Sequence, residues 1–266
     1  MINSSLKIAS VSLPVVWADK KTNIDAVSDI MAGIRKDTDL VVLPELFSTA
    51  FVPDPDVQMR LAEPDSGETV DKLKELAAGY RMAIAGSYLA CDGDGRIFNR
   101  AFFVEPSGET TFYDKRHLFS LSPESSIMSA GTGRVPVVRY RGWNIGMIVC
   151  YDLRFPVWCR NVGLAYDVML VPSNWPSVRG YAFEHLLIGR AIENQAYYVG
   201  ANRGGADDYG DYDGMTFVFD QDGRPVGLAD SDDTRVVYVE TSRDALERSR
   251  KRMPASSAAD QFSIII

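Results

Sequence analysis

Cys150, Glu45 and Lys115 are three side chains whose types together suffice for covalent acyl transfer. The thiol is the nucleophile, but at its ordinary pKa it is mostly protonated at neutral pH and needs a base. A glutamate serves as that base. A lysine beside both lowers the thiol pKa and offers a hydrogen bond to an oxyanion. Each of the three stands just past an apolar run: Glu45 after Leu40-Val41-Val42-Leu43-Pro44, Lys115 after the strand predicted over 110–113, Cys150 after Ile145-Gly146-Met147-Ile148-Val149. A strand end is where an α/β layer holds a reactive group rigidly at the mouth of a crevice. A plain reading competes at every position. Free cysteines often act as small buried hydrophobes. Glu45 could cap a helix, and Lys115 sits in a run, Asp114-Lys115-Arg116-His117, that by itself reads as a solvated face.

The elements that must position these groups follow from hydrophobic periodicity. Strands are predicted over 7–13, 39–43, 82–88, 97–104 and 110–113, with Asp92-Gly93-Asp94-Gly95 as hairpin chemistry between the third and fourth. Helices are predicted over 20–36 and 68–80. Residues 114–134 read as a loop long enough to be functional. Strands over 135–140 and 144–149 follow, joined at Arg141-Gly142, then a helix over 155–163 opened by Pro156. A strand over 168–172, a helix over 180–195, strands over 197–201, 215–219, 225–228 and 235–239, and a charged helix over 241–250 complete the chain. Helices and strands alternate first and hairpins appear later, which predicts layered sheets flanked by helices rather than one parallel sheet. No repeat, linker or composition shift marks a second domain. Residues 1–266 are therefore expected to form one domain, with 251–266 as a C-terminal extension.

Composition narrows the function. Hydrophobic content of 46% and charged content of 24% are those of a globular enzyme or binding protein. A formal net charge of -8 argues against a nucleic-acid partner. No apolar run reaches the roughly 18 residues of a membrane-spanning helix, and the first residues lack the basic and apolar regions of a secretory leader. The three cysteines, Cys91, Cys150 and Cys159, form no even framework and no CxxC pair, so a reducing cytoplasm is expected. The only histidines, His117 and His185, lack ligand spacing, so no metal and no cofactor are expected. The 180–195 helix adds Tyr181 and Ile188 to its Phe183, Leu186 and Leu187 face, wider than one-sided burial requires. The chain also ends on three isoleucines, Ile264-Ile265-Ile266. Both features predict a homodimer, although a tail folded back on its own sheet would equally cover the isoleucines.

In order, the chain carries Leu43-Pro44-Glu45, Asp114-Lys115-Arg116-His117-Leu118-Phe119, Cys150-Tyr151-Asp152-Leu153-Arg154-Phe155-Pro156, Pro172-Ser173-Asn174-Trp175-Pro176 and Arg190-Ala191-Ile192-Glu193-Asn194-Gln195. This series resembles the nitrilase superfamily of carbon–nitrogen hydrolases from about residue 6 to about 240, and its wording is similar to the omega-amidase branch. The resemblance implies a four-layer αββα sandwich and release of ammonia from the terminal amide of 2-oxo-acid amides such as 2-oxoglutaramate and 2-oxosuccinamate. It implies Glu45 as general base, Lys115 as oxyanion stabiliser with the backbone N–H of Tyr151, and Cys150 as nucleophile. Glu124 falls at the place of the family's second acid. The family often has Met and Gly where this chain has Leu121 and Pro123, and Lys251-Arg252-Met253-Pro254 departs from the usual C-terminal wording. A carboxylate on the substrate needs a cation. Arg154 and Arg116 are its candidates, each with a structural ion pair as the competing reading. Phe119, Trp175 and Arg203 are candidates to line the pocket. The same triad would also suit N-carbamoyl amides or a deaminated-glutathione-type amide, and a binding protein that kept the fold without turnover is the rival from another class.

Overall fold

The structure, a computed structural model, describes residues 4–265. Residues 1–3, part of the start read above as lacking a leader, and Ile266 of the isoleucine end lie outside the described residues. The chain order is β1 (Lys7–Val11), α1 (Lys20–Gly33), β2 (Leu40–Val42), α2 (Pro55–Leu61), α3 (Glu68–Tyr80), β3 (Ala83–Cys91), β4 (Ile97–Val104), β5 (Thr110–Asp114), α4 (Glu124–Ile127), β6 (Val137–Tyr140), β7 (Trp143–Met147), β8 (Val168–Ser173), α5 (Gly180–Asn194), β9 (Tyr197–Asn202), β10 (Gly204–Asp207), β11 (Gly210–Asp213), β12 (Phe217–Phe219), β13 (Leu228–Ala229), β14 (Val236–Glu240) and α6 (Arg243–Arg252). A seven-stranded sheet runs β13-β14-β1-β2-β3-β4-β5, and a five-stranded sheet runs β12-β9-β8-β7-β6. Strands β1, β2 and β3 are parallel, as are β7, β8 and β9. Among the described residues no helix is long and apolar enough to cross a membrane.

Alternation along the strands explains why two sheets stack. Ile8, Leu40, Val42, Ala83 and Phe103 point inward to meet Ile145, Met147, Val168, Leu170 and Val199 of the second sheet. Their neighbours Ala9, Val41, Ile84 and Phe102 point outward, under Val27, Ile30 and Met31 of α1 and Val70, Leu73 and Ala77 of α3. On the far side Met169, Val171 and Tyr198 lie under Phe183, Leu187 and Ala191 of α5. The order is helix, sheet, sheet, helix. With period 2 on both sheets, a one-residue slip would exchange these faces, so the register is strongly specified.

The predicted helix over 155–163 does not form. Residues 150–154 instead make a 3₁₀ turn, and only Val162–Leu164 makes another, interrupted at Gly163. Side-chain bonds hold this stretch in its non-helical path: Trp158 Nε1 donates to Tyr113 Oη at 2.8 Å, Asn161 Oδ1 accepts from the Tyr166 N–H at 3.0 Å, and Tyr166 Oη donates to the Cys159 carbonyl at 2.6 Å. Helix α2 was not expected, although Asp54-Pro55 is an N-cap followed by proline at the first helical position, and Asp54 caps Asp56 and Val57. The β10–β11 hairpin escaped the period-2 reading because its sequence is acidic and glycine-rich.

Asn23 ties α1 to the loop after β2. Its Oδ1 accepts from the Val16 N–H at 2.7 Å, and its Nδ2 donates to the carbonyls of Val16 at 2.7 Å and Ser48 at 2.8 Å. Asn23→Ala is expected to destabilise the fold by about 2–4 kcal/mol, because a buried polar group left unpaired costs roughly 1–3 kcal/mol. Asp29→Ala on the exposed face of the same helix should stay within about 0.5 kcal/mol of the parent. Urea unfolding of both variants reads the difference, and equal stabilities would refute it.

Candidate active site

Strand ends deliver the site. After β2 the chain passes Pro44 and turns sharply at Leu46, whose φ is 47°. Ser87 of β3 holds that turn, with Oγ accepting from the Leu46 N–H at 2.9 Å and its carbonyl from the Phe47 N–H at 3.0 Å. The Glu45 N–H reaches across to the Ser173 carbonyl at the end of β8, at 3.3 Å. Lys115 follows β5 directly, its N–H donating to the Asn99 carbonyl at 2.9 Å and its carbonyl accepting from Gly131 at 2.9 Å. A Cβ at Gly131 would lie 2.0 Å from the Asp114 carbonyl oxygen, so only glycine lets the loop close this tightly on the lysine.

Lys115 and Glu45 are almost wholly buried, as is Glu124 at the start of α4. Lys115 Nζ donates to Glu45 Oε1 at 2.8 Å and to Glu124 Oε1 at 2.8 Å and Oε2 at 3.0 Å. Asn99 Nδ2 adds a bond to Glu45 Oε1 at 2.7 Å, and the Phe119 N–H donates to Glu124 Oε2 at 2.6 Å. Burial raises the Glu45 pKa, the Lys115 ammonium pulls it back, and the Glu124 charge raises it again. For Lys115, burial opposes the charge, but Glu124 and Glu45 together hold the ammonium well above its ordinary value.

Cys150 follows β7 and has a φ of 46°, a left-handed conformation that costs a non-glycine residue about 1–3 kcal/mol. Its thiol lies beside the Glu45 carboxylate and Asn174 in the same cleft. Burial pushes the thiol pKa well up and the Glu45 charge pushes it further. Lys115 pulls it down as expected but is outweighed. The resting thiol is therefore neutral beside its base. Asp152 maintains the strained turn: its Oδ2 accepts from the Val149 N–H at 3.1 Å and Tyr113 Oη at 2.8 Å, and its Oδ1 accepts from the His117 N–H at 2.9 Å and lies 2.7 Å from His117 Nδ1. Tyr151 follows Cys150 in the first turn of the 3₁₀ segment, where backbone N–H groups have no partner inside the turn.

These groups open onto a cleft lined by Phe119, Tyr151, Arg154, Trp175, Arg179 and Tyr212 among others. Phe119 and Trp175 line it as expected, and each carries a guanidinium: Arg179 lies 4.9 Å from the Phe119 ring centre and Arg154 4.7 Å from that of Trp175. Arg203 does not reach the cleft. It is fully buried, bonded to Asp207 at 2.6 Å and to the Val15 carbonyl at 3.0 Å, and it stacks on Tyr212. Its place is beneath the β10–β11 hairpin, whose Tyr209 and Tyr212 line the cleft instead. Arg116 also turns away, donating to the Gly131 carbonyl at 3.2 Å. Asn99, Asp152 and Arg179 were missed by the sequence reading. Only Asp152 had a signal, its place two residues after the thiol.

A base, a neutral thiol, an ammonium and a free-standing backbone N–H at one cleft can carry acyl transfer from an amide. The comparisons with known proteins agree. A family model described as carbon-nitrogen hydrolase matches residues 7–251. Omega-amidase YafV of Escherichia coli (strain K12) is 39% identical over 260 residues, 97% of this chain and 98% of the relative. The 2-oxoglutaramate amidase of Bacillus subtilis (strain 168) is 27% identical over 219 residues, 82% of this chain and 83% of the relative. A solved CN-hydrolase superfamily protein of Xanthomonas campestris, with an arsenic adduct in its active site, superposes with a TM-score of 0.90 at 35% identity over 98% of this chain and 99% of its own. The family match spans every strand end that delivers a side chain to the cleft, and the chain therefore belongs to the carbon–nitrogen hydrolase family.

Proposed function

We propose that the protein hydrolyses the terminal amide of small 2-oxo-acid amides such as 2-oxoglutaramate and 2-oxosuccinamate, through a thioester on Cys150. The observation that carries this reading is the bonded set Glu45–Lys115–Glu124 beside the neutral Cys150 thiol, under a cleft that also holds Arg154. Glu45 takes the thiol proton as sulfur attacks the amide carbon. The oxyanion is held by the Lys115 ammonium and the Tyr151 N–H; a donor of this kind is worth roughly 10²–10³ in rate. Nitrogen leaves as ammonia with the proton returned from Glu45, and the same carboxylate then draws a proton from the water that opens the thioester. Glu124, bonded to Lys115 through both oxygens, keeps the ammonium in place. Arg154, over Trp175 at the cleft, is placed to meet the substrate's carboxylate. The omega-amidase and 2-oxoglutaramate amidase relatives support the choice of substrate. We place the enzyme in the cytoplasm, a reading supported by the free thiols of Cys91, Cys150 and Cys159.

An ammonia-release assay across 2-oxoglutaramate, glutamine, asparagine and N-carbamoyl compounds tests the reading. 2-Oxoglutaramate should be the preferred substrate, and Cys150→Ala should abolish its turnover while leaving the circular dichroism unchanged. Carbon dioxide released alongside ammonia from a carbamoyl compound would shift the assignment to that substrate class, and ammonia release surviving in Cys150→Ala would end it.

The pKa directions set a pH profile. Glu45 must be ionised to accept the thiol proton, so kcat/KM falls as the pH drops through its raised pKa, and the acid limb should lie above the ordinary glutamate range. Because the Glu124 charge raises that pKa, Glu124→Gln should move the limb to lower pH even as kcat falls. A limb that stays or moves upward contradicts the coupling.

We further propose a homodimer built on α5. Tyr181 is 77% exposed and Ile192 50% exposed, while Leu186 and Ile188 are only half-buried. Of the two described isoleucines at this end, Ile264 packs against its own chain's core and Ile265 stands exposed. Light scattering should find a dimer both for the full chain and for a chain ending at Gln261. Monomers in both would refute it.

A further inference from the structure

Two guanidinium groups face the cleft, and they are not equivalent. Arg154 is exposed and comes from the turn that follows the nucleophile. Arg179 is half-buried, at the start of α5, and was not singled out by any sequence pattern. Its guanidinium lies over Phe119, whose own N–H is bonded to Glu124. Among the described residues neither Arg154 nor Arg179 forms an ion pair, although the chain carries a net charge of -8 and most other partly buried arginines are paired: Arg100 with Asp114, Arg190 with Glu193, Arg203 with Asp207 and Arg250 with Asp167. A half-buried cation left without a carboxylate in an acidic protein has a place for an anion beside it.

The two sides of the cleft meet at this contact. Phe119 belongs to the loop that runs from Lys115 to Glu124, behind the first sheet. Arg179 belongs to the connection from β8 to α5 on the second. We infer that Arg179 is a specificity-determining residue: its guanidinium, held over Phe119, engages the carboxylate of the substrate together with Arg154 and selects carboxylate-bearing amides over neutral ones. This rests on the amidase reading above for the reaction, but not for the binding. Phe119 fixes the plane of the guanidinium, and its edge-on packing against Tyr151, with ring centres 5.1 Å apart, ties the clamp to the residue that follows Cys150. Arg179 and Cys150 line the same cleft, so a carboxylate at the guanidinium and an amide at the thiol share one recess. Tyr209 and Tyr212 line the cleft from the β10–β11 hairpin; of that hairpin's carboxylates Asp207 is bonded to Arg203, and among the described residues Asp208, Asp211 and Asp213 form no ion pair with Arg179.

The test pairs turnover with binding. Arg179→Gln should raise KM for 2-oxoglutaramate roughly 10- to 100-fold, the range for losing a charge-assisted hydrogen bond, with kcat changed far less. On butyramide, which has no carboxylate, kcat/KM should stay within about two-fold of the parent. Arg179→Lys, which keeps the charge without the fork, should fall between. Calorimetric titration with glutarate, which carries no amide, should show binding to the parent enzyme and a loss of at least 10-fold in Arg179→Gln. Equal losses on the two amides, or unchanged glutarate binding in the variant, would overturn the clamp. A parent enzyme that binds glutarate through Arg179 yet turns over neither amide would leave the clamp standing and overturn the amidase reading instead.

Discussion

One ammonium between two buried carboxylates sets the terms for everything around it. Lys115 Nζ is within 3.0 Å of three oxygens, one on Glu45 and two on Glu124, and all three side chains are removed from water. Taking any one of these charges out of water alone would cost several kcal/mol, so none of the three is tenable without the others. The set must therefore be assembled from three separate places in the chain: the end of β2, the end of β5 and the start of α4. Two carboxylates against one ammonium leave an excess of negative charge, partly met by Asn99 Nδ2 and the Phe119 N–H. Burial first, and then the Glu45 charge, keeps the adjacent thiol protonated at rest. The same geometry suits Glu45 to accept a proton: its pKa is raised by burial and drawn back by the lysine.

The second constraint is the strained turn at Cys150. A left-handed residue at the end of a buried strand persists only where its surroundings over-determine it. Asp152 does so, since one buried carboxylate accepts bonds from Val149, Tyr113 and His117, and Trp158 completes the group through Tyr113. His117 stacks on Phe155 with ring centres 3.6 Å apart, so the loop that carries Lys115 is packed directly on the loop that carries the thiol. Nucleophile and ammonium are thus aligned by one shared scaffold rather than by two independent loops.

Period-2 alternation made the two-sheet core legible, because Ile8 and Ala9 or Leu40 and Val41 fall on opposite faces by geometry alone. Glu45 and Cys150 were legible for the same reason: a polar residue at the end of an apolar run announces itself. Lys115 was hidden in a charged run and needed the surrounding wording to be recognised. What local sequence cannot carry is the tertiary bond. Asn99 lies in the middle of β4 and looks like a strand interior, yet it donates to Glu45. Arg203 reads as a cleft cation but is buried against Asp207. The segment 155–163 has a proline in place, and loses its helix to the bonds that Tyr166 donates to Asn161 and Cys159 and to the long-range bond that Trp158 donates to Tyr113.

The division between base and mouth has an electrostatic logic. At the base the carboxylates outnumber the ammonium, so an anionic substrate approaching the thiol meets repulsion. At roughly 8 Å and an effective dielectric of about 20, one uncompensated charge repels a substrate carboxylate by about 2 kcal/mol. Arg154 and Arg179 line the same cleft, each on an aromatic face and neither in an ion pair among the described residues. Two such cations outnumber the single excess negative charge at the base of the cleft. A neutral amide gains nothing from this arrangement, whereas a substrate with its carboxylate at the far end from its amide has each end met by the charge that suits it.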